Sequence, residues 1–178
     1  HNQDQLLLIP ILTENGERPV ITAYAAVSDF AYRGRISVQE AMRSFLSQGL
    51  LGRFTCEPEE GEAVEISGLE VSCEIKKEEN QPVVTVSIQG QGRLKTGQAD
   101  SATEKYRLEE KLEQGLAADL QETAGRMQEE LGIDMTDSYL LLGGHNRELY
   151  QEYQGLAETY HRKVRQVFQV DIEVLNWE

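Results

Sequence analysis

Cysteine, histidine and positive charge are all scarce in this sequence. Its 178 residues include two cysteines, three histidines, and 17 lysines plus arginines against 31 aspartates plus glutamates, for a formal net charge of -14. Cys56 and Cys73 lack C-x-x-C spacing and have no histidine paired nearby in sequence, which argues against a zinc site. A disulfide between them needs neighbouring strands, and two buried free thiols are the simpler reading. The acidic balance repels bare nucleic acid and anionic lipid on average, so no nucleic-acid role is expected. No run approaches the ~20 apolar residues that a spanning helix needs.

Recognisable chemistry is equally sparse. "GQGRLKTG" (Gly90 to Gly97) has neither phosphate-loop nor dinucleotide spacing, and it continues a strand where such a loop would open a helix. His145, Glu148, Glu152 and His161 form a metal set only on paper, because no two histidines stand at helical ligand spacing. The clusters "EPEEGE" and "KKEEN" lack the alternating-oxygen pattern of a calcium loop and read as solvated turns. There is no G-x-S-x-G elbow. No catalytic residue, metal or cofactor is expected, and an enzyme is the least favoured class.

What is present suits an ordinary globular protein, with 39% hydrophobic and 27% charged residues. The length fits one domain over 1–178, large enough to bury roughly 70% of its unfolded surface without disulfide or metal staples. The abrupt opening "HNQDQ" reads as a linker over residues 1–4 of a piece of something longer.

"LLLIPIL" (Leu6 to Leu12) is a short apolar run before an Asn15-Gly16 turn, and it reads as a buried strand. "VITAYAAV" (Val20 to Val27) is a second strand, and "AYRGRI" a third. Ser37-Val38-Gln39-Glu40 has the form of a capping box, so a helix starts at Val38, with Ala41, Phe45 and Leu46 as its apolar stripe and Gly49 as its stop. Between Val64 and Ile75 the apolar parity switches at Gly68, which places a bulge there. With Val84, Val86 and Ile88 this predicts a long hairpin with one wet face. A second capping box, Ser101 to Glu104, opens a long amphipathic helix over about 102–131, carried by Leu108, Leu112, Leu116, Leu120, Ala124, Met127 and Leu131 and closed by Gly132. From Asp137 to Phe168 the pattern is helical, broken at Gly143-Gly144 and near Gly155. Phe168, Val170, Ile172 and Val174 close the chain as a strand. Blocks of strands and helices without strict alternation give an α+β fold, with a mainly antiparallel sheet and helices packed on one face.

The segment "AAVSDFAYRGRISVQEAMRSFL" resembles the Ger(x)C (GerAC-like) spore germination proteins, the C subunits of nutrient germinant receptors. Ala26-Val27, Gly34, Ile36-Ser37 and Glu40 stand where that pattern puts them. The resemblance continues through "VSIQGQGRL", the long helix, "LGID", the stretch with Tyr150 and Tyr160, and "VFQVDIEV". It implies the C-terminal domain of a lipoprotein on the outer face of the spore inner membrane, held by an N-terminal lipid anchor that this stretch does not include. It implies a non-enzymatic function through contact with the membrane-embedded A and B subunits of the receptor. The strong acidity, the ending "NWE" and "RFTC", which is no acylation motif, depart from the family pattern. A small-ligand-binding module on the cell or spore surface is the rival reading.

"YRGR" is where a docking role would sit. On a regular extended segment Tyr32, Gly34 and Ile36 face one way and Arg33 and Arg35 the other. The simplest reading makes the two arginines a wet face, with Gly34 allowing a close backbone approach. The alternative makes Arg33 and Arg35 a partner-docking pair, since arginine is enriched where interfaces need planar hydrogen bonding.

Overall fold

Apolar alternation builds two sheets here, and the way each is covered organises the molecule. The computed structural model describes residues 5–16, 18–58, 60–97 and 101–175. The linker reading of residues 1–4 and the departure at 176–178 lie outside them. The first sheet has the order β1 (Leu7–Asn15), β2 (Arg18–Ser28), β3 (Ala31–Ile36), all antiparallel. The second has the order β4 (Arg53–Cys56), β5 (Ala63–Glu78), β6 (Gln81–Thr96), β7 (Arg165–Val174). In it β7 joins β6 in parallel, the one parallel pairing among the described strands. The architecture is α+β.

Between the sheets run α1 (Val38–Ser47) and α2 (Ala102–Leu131). Both capping boxes are formed: Ser37 and Ser101 accept from the Glu40 and Glu104 N–H groups, and each glutamate accepts in return from the cap N–H. The 30-residue α2 ends at Gly132, whose φ of 66° lets the Ile133 N–H reach the Met127 carbonyl at 3.1 Å. Leu108 and Leu112 of α2 pack with Val64, Ile66, Leu94, Ile172 and Val174. Leu120, Ala124 and Met127 belong to a second, larger cluster with Ile75, Val84, Val86 and Ile88. One helix thus spans two adjoining cores. It also seals the edge strand, since Glu113 accepts from the Ile172 N–H (3.1 Å) and Glu109 from the Val174 N–H (2.8 Å).

The β5–β6 hairpin turns on Glu79 and Asn80, both at positive φ, as a tight two-residue hairpin demands. Gly68 has a φ of 61° and sits in the register shift between Ser67 and Glu70, so the parity switch is a bulge.

Three expectations are corrected. "LLLIPIL" is not buried on both faces: Leu6 is in the core and Leu8 packs against it, while Leu7 and Ile9 are 48% and 52% exposed. The helical stretch does not break at Gly143-Gly144. There a 3₁₀ turn (Ser138–Leu141) runs into α3 (Leu142–His145), and the break falls at Asn146, whose side chain caps α4 (Arg147–Tyr153). After Gly155 (φ 77°), α5 (Ala157–Lys163) ends early, and β7 begins at Arg165, three residues before the first residue of the expected strand.

Candidate functional site

Arg33 and Arg35 do not share one face. The β2–β3 register pairs Val27 with Tyr32 and Ala26 with Gly34, leaving Arg33 as an extra, bulged residue. Arg33 therefore folds back on the turn that precedes it. Its Nη2 donates to Asp29 Oδ2 at 2.9 Å and its Nε to the Ser28 carbonyl at 3.4 Å, with both ion-pair partners mostly buried. That clamp holds an uncommon backbone: Asp29 and Phe30 are both at positive φ (52° and 58°), and Phe30 stands 81% exposed at the tip. Arg35, by contrast, is exposed and pairs across the strands with Ala25.

Cross-strand partners share a face, so Leu7, Val27 and Tyr32 lie together, as do Ile9, Ala25 and Arg35 in the next row. Alternation carries both rows to the outer side of the first sheet. Tyr32 is 67% exposed, and Leu12 and Ile21, paired beyond an irregularity at Ile11/Leu12, are exposed too. The result is a bare apolar surface with an aromatic tip at one end and one arginine at its edge. The opposite side is closed: Tyr24 meets Phe45 of α1 edge-on at 5.7 Å. A Cβ on Gly34 would fall 2.5 Å from Leu131 Cδ2, the close approach expected of that glycine.

For the ligand-pocket alternative, besides a charged groove of about 540 Å³ lined by Arg33, Glu130, Glu158 and Arg162, there is a more apolar one of about 490 Å³, bordered by Val71, Cys73, Val86, Leu140, Leu141 and His145. Much of its polar rim is already committed. Ser47 donates to the Ser44 carbonyl, Gln48 to the Met135 carbonyl, and Asp137 accepts from the Leu6 N–H. Cys73 is no activated nucleophile, because burial, reinforced by the Asp134 charge, pushes its thiol up to about 11. Burial and the charge of Asp119 do the same to Cys56. Both cysteines are free, half-buried thiols on neighbouring strands.

The paper metal set is not assembled. Glu148 and Glu152 both bind Lys77, at 3.3 and 2.6 Å, and His161 is buried with its ring against Tyr139 and Tyr160. Sequence reading missed the buried acid next to them: Asp134 accepts from the N–H and hydroxyl of both Thr136 and Ser138, and Ser138 bonds the Tyr160 hydroxyl at 2.9 Å. "DMTDS" is the signal, a carboxylate followed at two and four residues by hydroxyls. With every oxygen engaged, this is an anchor for the 3₁₀ turn.

The comparisons agree with this fold. The family model described as "Spore germination B3/ GerAC like, C-terminal" matches residues 47–175. Among solved structures, one described as "Crystal Structure of the GerBC protein" superposes with a TM-score of 0.84 at 16% identity, covering 97% of this chain and 57% of that one. This chain thus spans little more than half the length of that protein, and the superposition takes in β1–β3, which precede the family-model match. No curated protein matches the chain. With most of its length matched by the family model, the chain belongs to the Spore germination B3/GerAC-like C-terminal family, that of germinant receptor C subunits.

Proposed function

We propose that this chain is a non-enzymatic docking domain of a germinant receptor C subunit. It acts in nutrient-triggered germination through contact with the membrane-embedded A and B subunits, on a lipid-anchored protein at the outer face of the spore inner membrane. The observation that carries this reading is the uncovered outer face of β1–β3, with Leu7, Ile9 and Tyr32 exposed and Phe30 at the tip. Exposed aromatics beside aliphatics with an arginine at the rim match the composition of interface centres. The clamp on Asp29-Phe30 supports it further: a non-glycine residue kept in the left-handed region with its side chain in solvent costs stability that packing does not return. Arg35 takes the docking role, while Arg33 positions the tip.

The test is co-purification of the full-length C subunit with its A and B subunits from membranes, comparing wild type with Ile9→Glu and Arg35→Glu. Loss of A and B with unchanged levels of folded C subunit is expected. Undiminished co-purification overturns the reading. So does protection of this face from hydrogen exchange in the full-length C subunit alone, which would make it a contact within the protein's own chain.

A further inference from the structure

Both faces of the second sheet are accounted for, but one strand edge is not. β4 pairs only with residues 64–67 of β5, so from Glu70 onward the outer side of β5 has no strand beside it. The direction of its main-chain groups follows from the register. Pro82 stands opposite Lys77 and has no N–H to give, so that pair is of the non-hydrogen-bonded class. Alternation puts Ile75, Cys73 and Val71 in the same class, and their N–H and C=O groups point away from β6. The Ile75 carbonyl accepts from the Asn146 side-chain amide at 3.2 Å, as that assignment requires, and this closes the edge at the hairpin end. Among the described residues, no such bond reaches the main chain of Val71 or Cys73.

The other edges are blunted in ways that discourage pairing. β4 is four residues long, β1 carries Pro10, β3 is bulged at Arg33, and β7 is capped by Glu109 and Glu113. Over 70–75, β5 has no proline, no lysine and no bulge. The groove of about 490 Å³ runs along this stretch. Val71, Ser72 and Cys73 all border it, although alternation sends the Ser72 side chain to the opposite face from its neighbours, so the groove follows the strand edge itself. Leu140 and Leu141 border it too, 40% and 38% exposed. Open main-chain donors and acceptors at strand spacing, with half-exposed apolar side chains beside them, fit a further strand.

We infer that this edge takes an extended peptide segment of another protein, which adds to the second sheet beside residues 71–73. Charge decides what that segment carries. Paired antiparallel with itself about Ser72, a second copy would set Glu70 against Glu74 twice, between chains of net charge -14. Glu74 is shared with Lys76 at 2.8 Å, in a pair too exposed to hold it. The strand that fits has an uncharged residue opposite Ser72, apolar residues opposite Val71 and Cys73 on the groove side, and lysine or arginine opposite Glu70 and Glu74 on the wet side. This edge shares no residue with the outer face of β1–β3 and stands or falls independently of it.

The probe is the capped peptide acetyl-Lys-Val-Thr-Val-Lys-amide, titrated into the ¹⁵N-labelled chain and followed by NMR. Saturable shifts centred on the Val71 and Cys73 amides are expected, with a Kd on the order of a millimolar for so short a strand. Hydrogen exchange at those two amides should slow about tenfold when the site is nine-tenths filled, and stay unchanged at Ser72, which already bonds β6. N-methyl groups on alternate peptide amides test the main-chain pairing: the set facing β5 should abolish binding and the set facing solvent should be tolerated. The double variant Glu70→Lys, Glu74→Lys should keep its melting temperature, weaken this peptide by roughly threefold or more, and prefer the same peptide with glutamate at both ends. No saturation, equal effects of the two N-methyl sets, or an unchanged Kd for the charge-reversed variant would each overturn the assignment. So would protection of the Val71 and Cys73 amides in the peptide-free chain, which would mean that the edge is already closed by this chain or by a second copy.

Discussion

The two sheets are built by the same alternation and finished differently. The second sheet has its inner face covered by α2 and its β7 edge closed by Glu109 and Glu113. Its other face is polar, with Ser87 bonded to Gln169 and Gln89 to Asp171 across the strands. The first sheet is covered on one side by α1 and the end of α2, yet its other side carries Leu7, Ile9 and Tyr32 in the open. A sheet with one wet polar face is complete. On the proposed docking reading, a sheet with one bare apolar face is half of a contact. Substitutions in the second sheet should therefore be read in stability, and substitutions on the outer face of the first in assembly.

The largest expected effect tests the completed half. Leu120 of α2 is fully buried in the main core, between the helix and the second sheet. Leu120→Ala removes that contact and leaves a cavity, so it should cost about 3 kcal/mol in chemical denaturation. A loss below about 1 kcal/mol would mean that α2 does not hold the sheet as described.

Next comes the bulge within the same sheet. At Gly68 the nearest atom to an added Cβ is Gln91 Oε1, at 3.9 Å, so space is available and the backbone is the obstacle. With φ at 61°, Gly68→Val should destabilise by about 1–2 kcal/mol, and Gly68→Asn by clearly less, because asparagine tolerates the left-handed region. Equal costs for the two variants in a urea titration would remove the conformational explanation.

Local punctuation made much of this legible beforehand. Both capping boxes, the stop at Gly132 and the bulge at Gly68 are written in a few adjacent residues and hold wherever the chain goes. What stayed hidden depends on partners across space. Arg33 is displaced by a register shift against Val27, so a parity count along "AYRGRI" put it on the wrong face. The run Leu6 to Leu12 looks like a strand buried on both sides because its composition cannot say whether its second cover lies within the chain. Gln166 opens a strand with a polar pair, Arg165-Gln166, that reads as the tail of a helix, and only the register with Val84 reveals it as a core position. Gly143 and Gly144 lie inside a short helix that Asn146, not glycine, terminates.

A smaller effect concerns the joint between the halves. Glu40 of α1 accepts from Ser37 and is ion-paired with Arg126 of α2. Burial pushes its carboxyl up, but the bonds from the Ser37 backbone and hydroxyl and from Arg126 together outweigh that and hold it below the ordinary value. A depressed pKa gives stability that is present above the unfolded value and is lost as pH falls through the folded one. Glu40→Gln should thus cost about 1 kcal/mol at neutral pH, with the gap to wild type closing below about pH 4.5. A gap independent of pH would assign the loss to packing.

The smallest effect on folding should fall on the bare face, and it separates the two arginines. Arg33→Glu sets a second carboxylate beside Asp29 in a mostly buried clamp and should cost about 1 kcal/mol, loosening the Asp29-Phe30 turn. Arg35→Glu, on an exposed position opposite Ala25, should stay within about 0.5 kcal/mol. If Arg35 has the proposed docking role, the order reverses in kind in the assembled receptor: Arg35→Glu then reverses a rim charge at the contact, so association should slow and its salt dependence change while the melt of the isolated domain hardly moves. Arg33→Glu should lower the melt first and assembly only through the mispositioned tip, and Arg33→Lys, which keeps the charge, should restore part of both. Equal melting losses for Arg33→Glu and Arg35→Glu would erase the distinction between clamp and rim and return both residues to an ordinary wet strand.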